Sequence, residues 1–338
     1  FIETHQVRTL PETILIVINP EGRVRGVHML AFHEPPEYGP SVDPNDDLAP
    51  SEGSVDVDVE QRPWEPIAGS DDGVPLVAFV DGVRRIDARL VLDDPEAGPI
   101  PGICGSYGVG AVVWDRERRR SEVVGASIHR LGVLAKGRIA EIPPGGPALT
   151  YEVESVADDD PGSLMGHFHS RMRRSESELA EKLGAGGHFV VADGPLYELS
   201  PTETIGYVKS HRVNYLANGH GEIIGRLAPG ERTPLFTIKG YERYSWYLRL
   251  AEVIGGHSWS GIVRCEAAAA LPIEEVVVLA DRSAAILPTV ASEAHLDPRA
   301  PQNLIPIAAL ERHLRHLLGD AGLVLRHLRA AVMRMEAA

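Results

Sequence analysis

Two short strings constrain this chain more than any other feature: Phe79-Val80-Asp81-Gly82 and Val190-Val191-Ala192-Asp193-Gly194-Pro195-Leu196. Each is an apolar run closed by an aspartate and a glycine. Such a run reads as a buried strand, so the aspartate at its exit is positioned by the backbone, and the glycine lets another group approach closely. Two such aspartates on neighbouring strands would make a site for a divalent cation. Carboxylate oxygens suit Mg²⁺ or Mn²⁺, and a pair of these ions can hold the attacking and leaving oxygens of a phosphodiester. The competing reading makes both aspartates turn residues, since Asp-Gly is a strong hairpin signal.

With 338 residues the chain can bury a large core, as one elaborated domain or two ordinary ones. It begins with Phe1 rather than Met, so an N-terminal piece is expected to be missing or processed. No apolar run approaches the roughly 18–20 residues a membrane helix needs, and the start does not read as a signal peptide, so a soluble protein with no membrane partner is expected. Cys104 and Cys265 are too few for a disulfide framework and lack zinc-ligand spacing, which fits core thiols in a reducing cytoplasm. The net charge of -15 argues against a broad basic surface for nucleic acid, so any phosphate contact must be local. Much of the acidity lies between Ser41 and Asp72, where Arg62 is the only basic residue. These carboxylates are expected to be a solvated face, although Val55 to Val59 alternates as an edge strand does.

Glu12 to Asn19 and Arg25 to Phe32 read as two strands joined by a turn at Pro20-Glu21-Gly22. Val74 to Val80 and Arg84 to Leu92 read as a hairpin whose turn carries Asp81, with Ser106 to Trp114 as a third strand of an antiparallel meander. Further strands are expected at His188 to Ala192, Ile205 to Lys209, Leu235 to Lys239, Tyr244 to Leu250, Gly261 to Cys265 and Glu275 to Leu279. The chain ends in amphipathic helices over His313 to Leu318 and Leu323 to Met333. A long helix is expected between about Gly162 and Leu183, with Met165, Phe168, Met172, Leu179 and Leu183 as its apolar stripe. Glu176 falls inside that stripe, whereas Glu178 and Glu181 fall off it. A core-facing carboxylate is costly unless it is paired or metal-bound, so Glu176 is either an ion-pair partner of a neighbour such as Arg173 or a site residue.

A strand aspartate, a helix glutamate and a second strand aspartate are the ingredients of an RNase H-like nuclease site. In these residues the chain resembles the NurA nuclease family. The resemblance rests on Val80-Asp81-Gly82 followed by Arg84 and Arg85, Glu176 seventeen residues before Asp193, the Asp193-Gly194-Pro195-Leu196 string and the strand Ile205 to Lys209. The segment Pro298 to Pro306 and the helix after it look like that family's C-terminal block. The resemblance implies an α/β fold, an RNase H-like mixed sheet flanked by helices, with extra N-terminal β elements and a C-terminal helical block. It divides the chain into residues 1–72, N-terminal β elements and the acidic segment, and 73–338, the nuclease domain. It also implies a manganese-stimulated DNA nuclease that forms homodimers and works with a hexameric HerA-type ATPase. Asp81, Glu176 and Asp193 would then be catalytic metal ligands for Mn²⁺ or Mg²⁺, acting by in-line attack of a metal-activated water. Val83 departs from the serine the family often has there. Asn303 and Glu311 stand where archaeal members carry a tyrosine and a histidine, which makes Glu311 the candidate fourth carboxylate and His313 its alternative.

Arg84, Arg85, Lys209 and Arg299, with Asn303, are the candidate DNA contacts, and Tyr207 or Trp246 could stack on a splayed base. Three groupings carry less. His167 and His169 lie two apart on a helix and point to different sides. Asp281-Arg282-Ser283 reads as a strand-end turn. Ser170, Ser175 and Ser177 lack a G-x-S-x-G elbow, and no G-x-x-x-x-G-K-[ST] phosphate loop supports an ATPase. The rival to a nuclease is a catalytically silent module of the same fold that docks on an ATPase partner.

Overall fold

The computed structural model describes residues 55–336, apart from 95, 147–148, 198–201, 210–214, 217–218, 254–258, 294, 296 and 298, together with the backbone of three strands before them. The chain forms two compact units. One comprises Phe1–Ser70, Lys209–Arg264 and Ala280–Ile305, and the other Asp71–Val208, Cys265–Leu279 and Pro306–Ala338. The first unit thus joins the N-terminal residues to two later segments of the chain.

In the first unit, β1 (Ile2–Val7), β2 (Leu10–Ile18) and β3 (Val24–Phe32) pair antiparallel in that order. The turn expected at Pro20 to Gly22 and the acidic segment up to residue 54 lie outside the described residues. β4 (Val55–Asp56) and β5 (Ile67–Ala68) follow as short strands.

The second unit is built on a long meander. β6 runs unbroken from Leu76 to Asp94, β7 from Gly98 to Asp115 and β8 from Arg120 to Leu134. This corrects the hairpin expected at Asp81, because Asp81 and Gly82 are ladder residues opposite Gly110 and Val109. Apolar residues on both sides keep the strand going, and the glycine serves packing rather than a turn. β8 has no counterpart among the expected strands, because its exposed first half is too polar to read as one. β9 (Glu152–Ser155) pairs parallel with β8.

Helix α1 (Pro161–Ala185) starts where Asp160 accepts from the Ser163 N–H and proline fills the first helical turn. It buries Leu164, Phe168, Met172, Glu176 and Ala180 at a spacing of four. Phe168 joins Tyr107, Val109 and Leu131 in the core. A Cβ at Gly105 of β7 would stand 2.5 Å from the Phe168 ring, so glycine there sets how close the helix lies. β10 (Phe189–Asp193) lies parallel to β6 and to β11 (Thr204–Val208). Parallel and antiparallel pairs thus mix in one large sheet.

Back in the first unit, the short α2 (Glu222–Arg226), β12 (Glu231–Arg232), β13 (Phe236–Ile238) and β14 (Tyr241–Arg249) enclose a core around Phe236, Tyr247 and Ile262. β4 pairs with β13 and β5 with β12. The acidic segment is not wholly solvated: the Glu60 side chain is 5% exposed and holds the fully buried Arg232, which also bonds Asp281. β15 (Ile262–Ala268) leads to α3 (Ile273–Ile286), which overturns the strand expected at Glu275 to Leu279 and the turn at Asp281. Pro272 with Glu274 and Glu275 makes a helix start, and Val276, Leu279, Ala280 and Ser283 are buried at helical spacing. The valine run imitated a strand. The chain closes with α4 (Ile305–Leu317) and α5 (Ala321–Glu336). Leu310, Leu314 and Leu318 pack on Val83 and Val112, which seats α4 on the second unit's sheet. Cys104 and Cys265 are buried free thiols.

Candidate metal centre

Asp81, Asp193 and Glu311 each offer a carboxylate oxygen, and these oxygens lie within 4.8 Å of one another. Side chains alternate across a strand, so Asp81 and Val83 share one face of β6 while Gly82 faces the other way. Val83 contacts the stripe of α4, and the same face therefore carries Asp81 toward Glu311. Gly110, directly across the ladder from Asp81, leaves room for Leu310: a Cβ there would lie 3.2 Å from the leucine Cδ1. Asp193 ends β10, next to β6. Gly194 turns the chain at φ +90°, a conformation open to glycine, and exchanges two backbone hydrogen bonds with Tyr207.

Glu311 sits seven residues into α4, beyond the first turn where the helix dipole favours a glutamate. It is 7% exposed, and the Arg315 guanidinium lies 3.2 Å from its carboxylate. Three carboxylates at this separation repel one another unless a cation or a proton joins them. All the donors are hard oxygens, and two of the three residues are buried. The donor set fits Mn²⁺ or Mg²⁺.

Glu176 approaches from the α1 side. A Cβ at Gly82 would stand 2.3 Å from Glu176 Oε1, so the glycine is what admits this carboxylate against the backbone. Burial, and to a lesser degree the Asp193 charge, push its pKa up to about 7, against the opposing pull of Arg173, Arg84 and the Gly82 N–H. Arg173 Nε stands 3.7 Å from its carboxylate, the ion pair weighed from sequence. Glu176 is not one of the three whose oxygens fall within 4.8 Å. Glu178 and Glu181 are exposed, as the helical phase requires.

A family model for the NurA domain matches residues 75–315. The chain belongs to the NurA family. NurA proteins are nucleases acting on DNA, and the match spans Asp81, Glu176, Asp193 and Glu311 while leaving the three N-terminal strands outside. None of the curated proteins compared with the chain matches it.

The other residues singled out on the NurA resemblance have diverse surroundings. Arg84 acts on the Glu176 charge. Arg85 donates to Asp87 and to the carbonyls of Leu318 and Gly319, at the end of α4. Lys209, Arg299 and Asn303 form a group in the first unit: Lys209 Nζ donates to Asn303 Oδ1 at 3.1 Å, and both Asn303 and the Arg299 N–H donate to Asp297. Asn303 is fully buried and presents no surface to DNA. Tyr207 and Trp246 are also fully buried, so neither can stack on a base, and Trp246 donates to Ser283. His313, the alternative to Glu311, is exposed while Glu311 is buried, so the two lie on different faces of α4. His167 bonds Glu154, which also pairs with Arg171.

Sequence reasoning missed Glu266 and Asp87. Glu266 of β15 is fully buried and accepts the Leu196 N–H at 2.7 Å, tying down the turn that follows Asp193. A Cβ at Gly206 would stand 2.9 Å from its Cγ. The available signal was a charged residue between Cys265 and Ala267, inside an apolar strand. Asp87 accepts from Arg85, Ser106 and Tyr151 with its side chain fully buried.

Proposed function

We propose that the chain is a metal-dependent deoxyribonuclease whose Asp81, Asp193 and Glu311 carboxylates hold Mn²⁺ or Mg²⁺, with Glu176, which approaches β6 from its other face, as a further catalytic carboxylate. The observation that carries this reading is the convergence of three carboxylates, from two strands and a helix, in a chain of a nuclease family. Two bound ions would supply an activated water and charge stabilisation at the leaving 3′ oxygen. The protein's part is to fix the oxygens in advance: β6 and β10 aim the aspartates, α4 delivers the glutamate, and Gly82 lets Glu176 close in from the opposite face. Arg84 supplies a cation near Glu176, and Lys209 and Arg299 remain candidates for local phosphate contacts.

The net charge of -15 supports dependence on a partner that presents the strand, which fits a homodimer working with a HerA-type hexameric ATPase in DNA end processing or defence. The same charge favours one competing reading, a silent module on such an ATPase. Incubating the purified protein with single- and double-stranded DNA in Mn²⁺, Mg²⁺ or EDTA, with and without the ATPase, separates the two. Cleavage that EDTA abolishes supports the nuclease. Its absence in every metal condition, with the partner present, supports the silent module.

A further inference from the structure

Arg85 looks from sequence like a phosphate contact, but its guanidinium is engaged by the protein itself. Nη1 donates to the Gly319 carbonyl at 2.6 Å, Nη2 to the Leu318 carbonyl at 3.2 Å and Nε to Asp87 Oδ1 at 2.8 Å. The last carbonyls of a helix have no partner within it, and α4 ends at Leu317. Gly319 takes the left-handed conformation at φ +77° that closes many helices, and its carbonyl is turned to Arg85.

Asp87 holds the arginine in place, because its fully buried side chain also accepts from Tyr151 at 2.8 Å and from Ser106. Arg130, from β8, stands 3.8 Å from Asp87 and reaches Leu318 O at 3.5 Å, so two arginines grip the same helix end. Along one face of β6, Asp81 meets Glu311, Val83 meets Leu310 and Leu314, and Arg85 meets the end of α4.

On the reading of the carboxylates as a cation site, we propose that Arg85 is a positioning residue that sets Glu311 against Asp81 by gripping the C-terminus of α4. Glu311 lies two turns, about 10 Å, before Leu318 on a rigid helix. A change of seat at the end is therefore carried to the carboxylate. Leucines alone leave α4 free to slide or roll on Val83 and Val112, since apolar contact has no direction. The forked hydrogen bonds to two carbonyls and a carboxylate do have one.

The test uses the full chain with Arg85→Gln and Arg85→Lys. Mn²⁺ binding is read without DNA from the electron paramagnetic resonance of free Mn²⁺, DNA binding from fluorescence anisotropy in EDTA, and folding from thermal melts. Hydrogen bonds that hold metal ligands in place are typically worth ~10-fold or more in metal affinity, and Arg85 would act on Glu311 to the same effect through α4. A loss of Mn²⁺ affinity of that size is expected in Arg85→Gln, with DNA affinity in EDTA and the KM for DNA unchanged and kcat recovered at high Mn²⁺. Arg85→Lys keeps the charge but loses the fork, so it too should bind Mn²⁺ more weakly. Wild-type Mn²⁺ affinity in both variants overturns the proposal. So does weakened DNA binding in Arg85→Gln that Arg85→Lys restores, which marks a phosphate contact. If the wild-type protein itself binds no Mn²⁺, the cation-site reading fails first and the positioning role falls with it.

Discussion

Glycine and glutamate meet at β6 in a contact that neither residue announces alone. The helical spacing of Met172, Glu176 and Leu179 made Glu176 core-facing, and the apolar runs singled out Asp81 and Asp193. That Gly82 is the surface Glu176 rests on was not legible, because the pair lies 94 positions apart in sequence. Gly82→Ala should destabilise the protein by about 1–3 kcal/mol through overpacking. In a Glu176→Ala background most of that loss should vanish in urea unfolding, since the atom the methyl strikes is gone. An equal cost in both backgrounds would place the strain elsewhere.

Glu60 shows the same blindness to distant partners. Read as part of a solvated acidic face, it is the counter-ion of the buried Arg232. Burial by itself raises its pKa, but Arg232, the Leu235 N–H and Arg62 outweigh that and hold it below the usual 4.5. The folded state thus binds this proton less readily than the unfolded chain. Its stabilising contribution is present above pH 4.5 and is lost as pH falls through the depressed value. Glu60→Gln should lower stability by ~3 kcal/mol at neutral pH, as breaking a buried pair does, and flatten the acid limb of melting temperature against pH. An unchanged acid limb would show that the pair does not carry it.

At the scale of elements, the sequence is most legible where period and punctuation agree. Asp160-Pro161 opens α1, and its boundaries match the apolar spacing within a few residues. α3 misled because a valine run satisfies a strand as well as a helix, and the arbitrating features were Pro272 and the paired glutamates after it. The hairpin expected at Asp81 is absent for the opposite reason: Asp-Gly reads as punctuation, but here the glycine makes room for Glu176. The phase of α1 bears on function. Glu176→Gln should remove cleavage, whereas Glu178→Gln, on the exposed face, should retain it in a DNA-nicking assay. The reverse result would mean that α1 presents a different face to the chemistry. Phe168→Ala should cost about 3–5 kcal/mol in chemical unfolding, because the ring fills the space that Gly105 leaves. A loss below 1 kcal/mol would show that α1 is not seated by that ring.

Across the whole molecule, charge and family set complementary limits. No helix among the described residues is long and apolar enough to cross a membrane. A net charge of -15 on a protein of a DNA nuclease family implies weak capture of bare DNA. The isolated protein should bind DNA weakly, with affinity falling as salt rises, and should cleave faster when a hexameric motor delivers the strand. Tight, salt-insensitive binding by the isolated chain would contradict this. The central claim is that Asp81, Asp193 and Glu311 together bind a catalytic cation, and it is tested most directly by locating Mn²⁺ through anomalous scattering from Mn²⁺-soaked crystals. The expected result is a peak among those three carboxylates that disappears in Asp81→Asn. A peak elsewhere, or none there at saturating Mn²⁺, would contradict it.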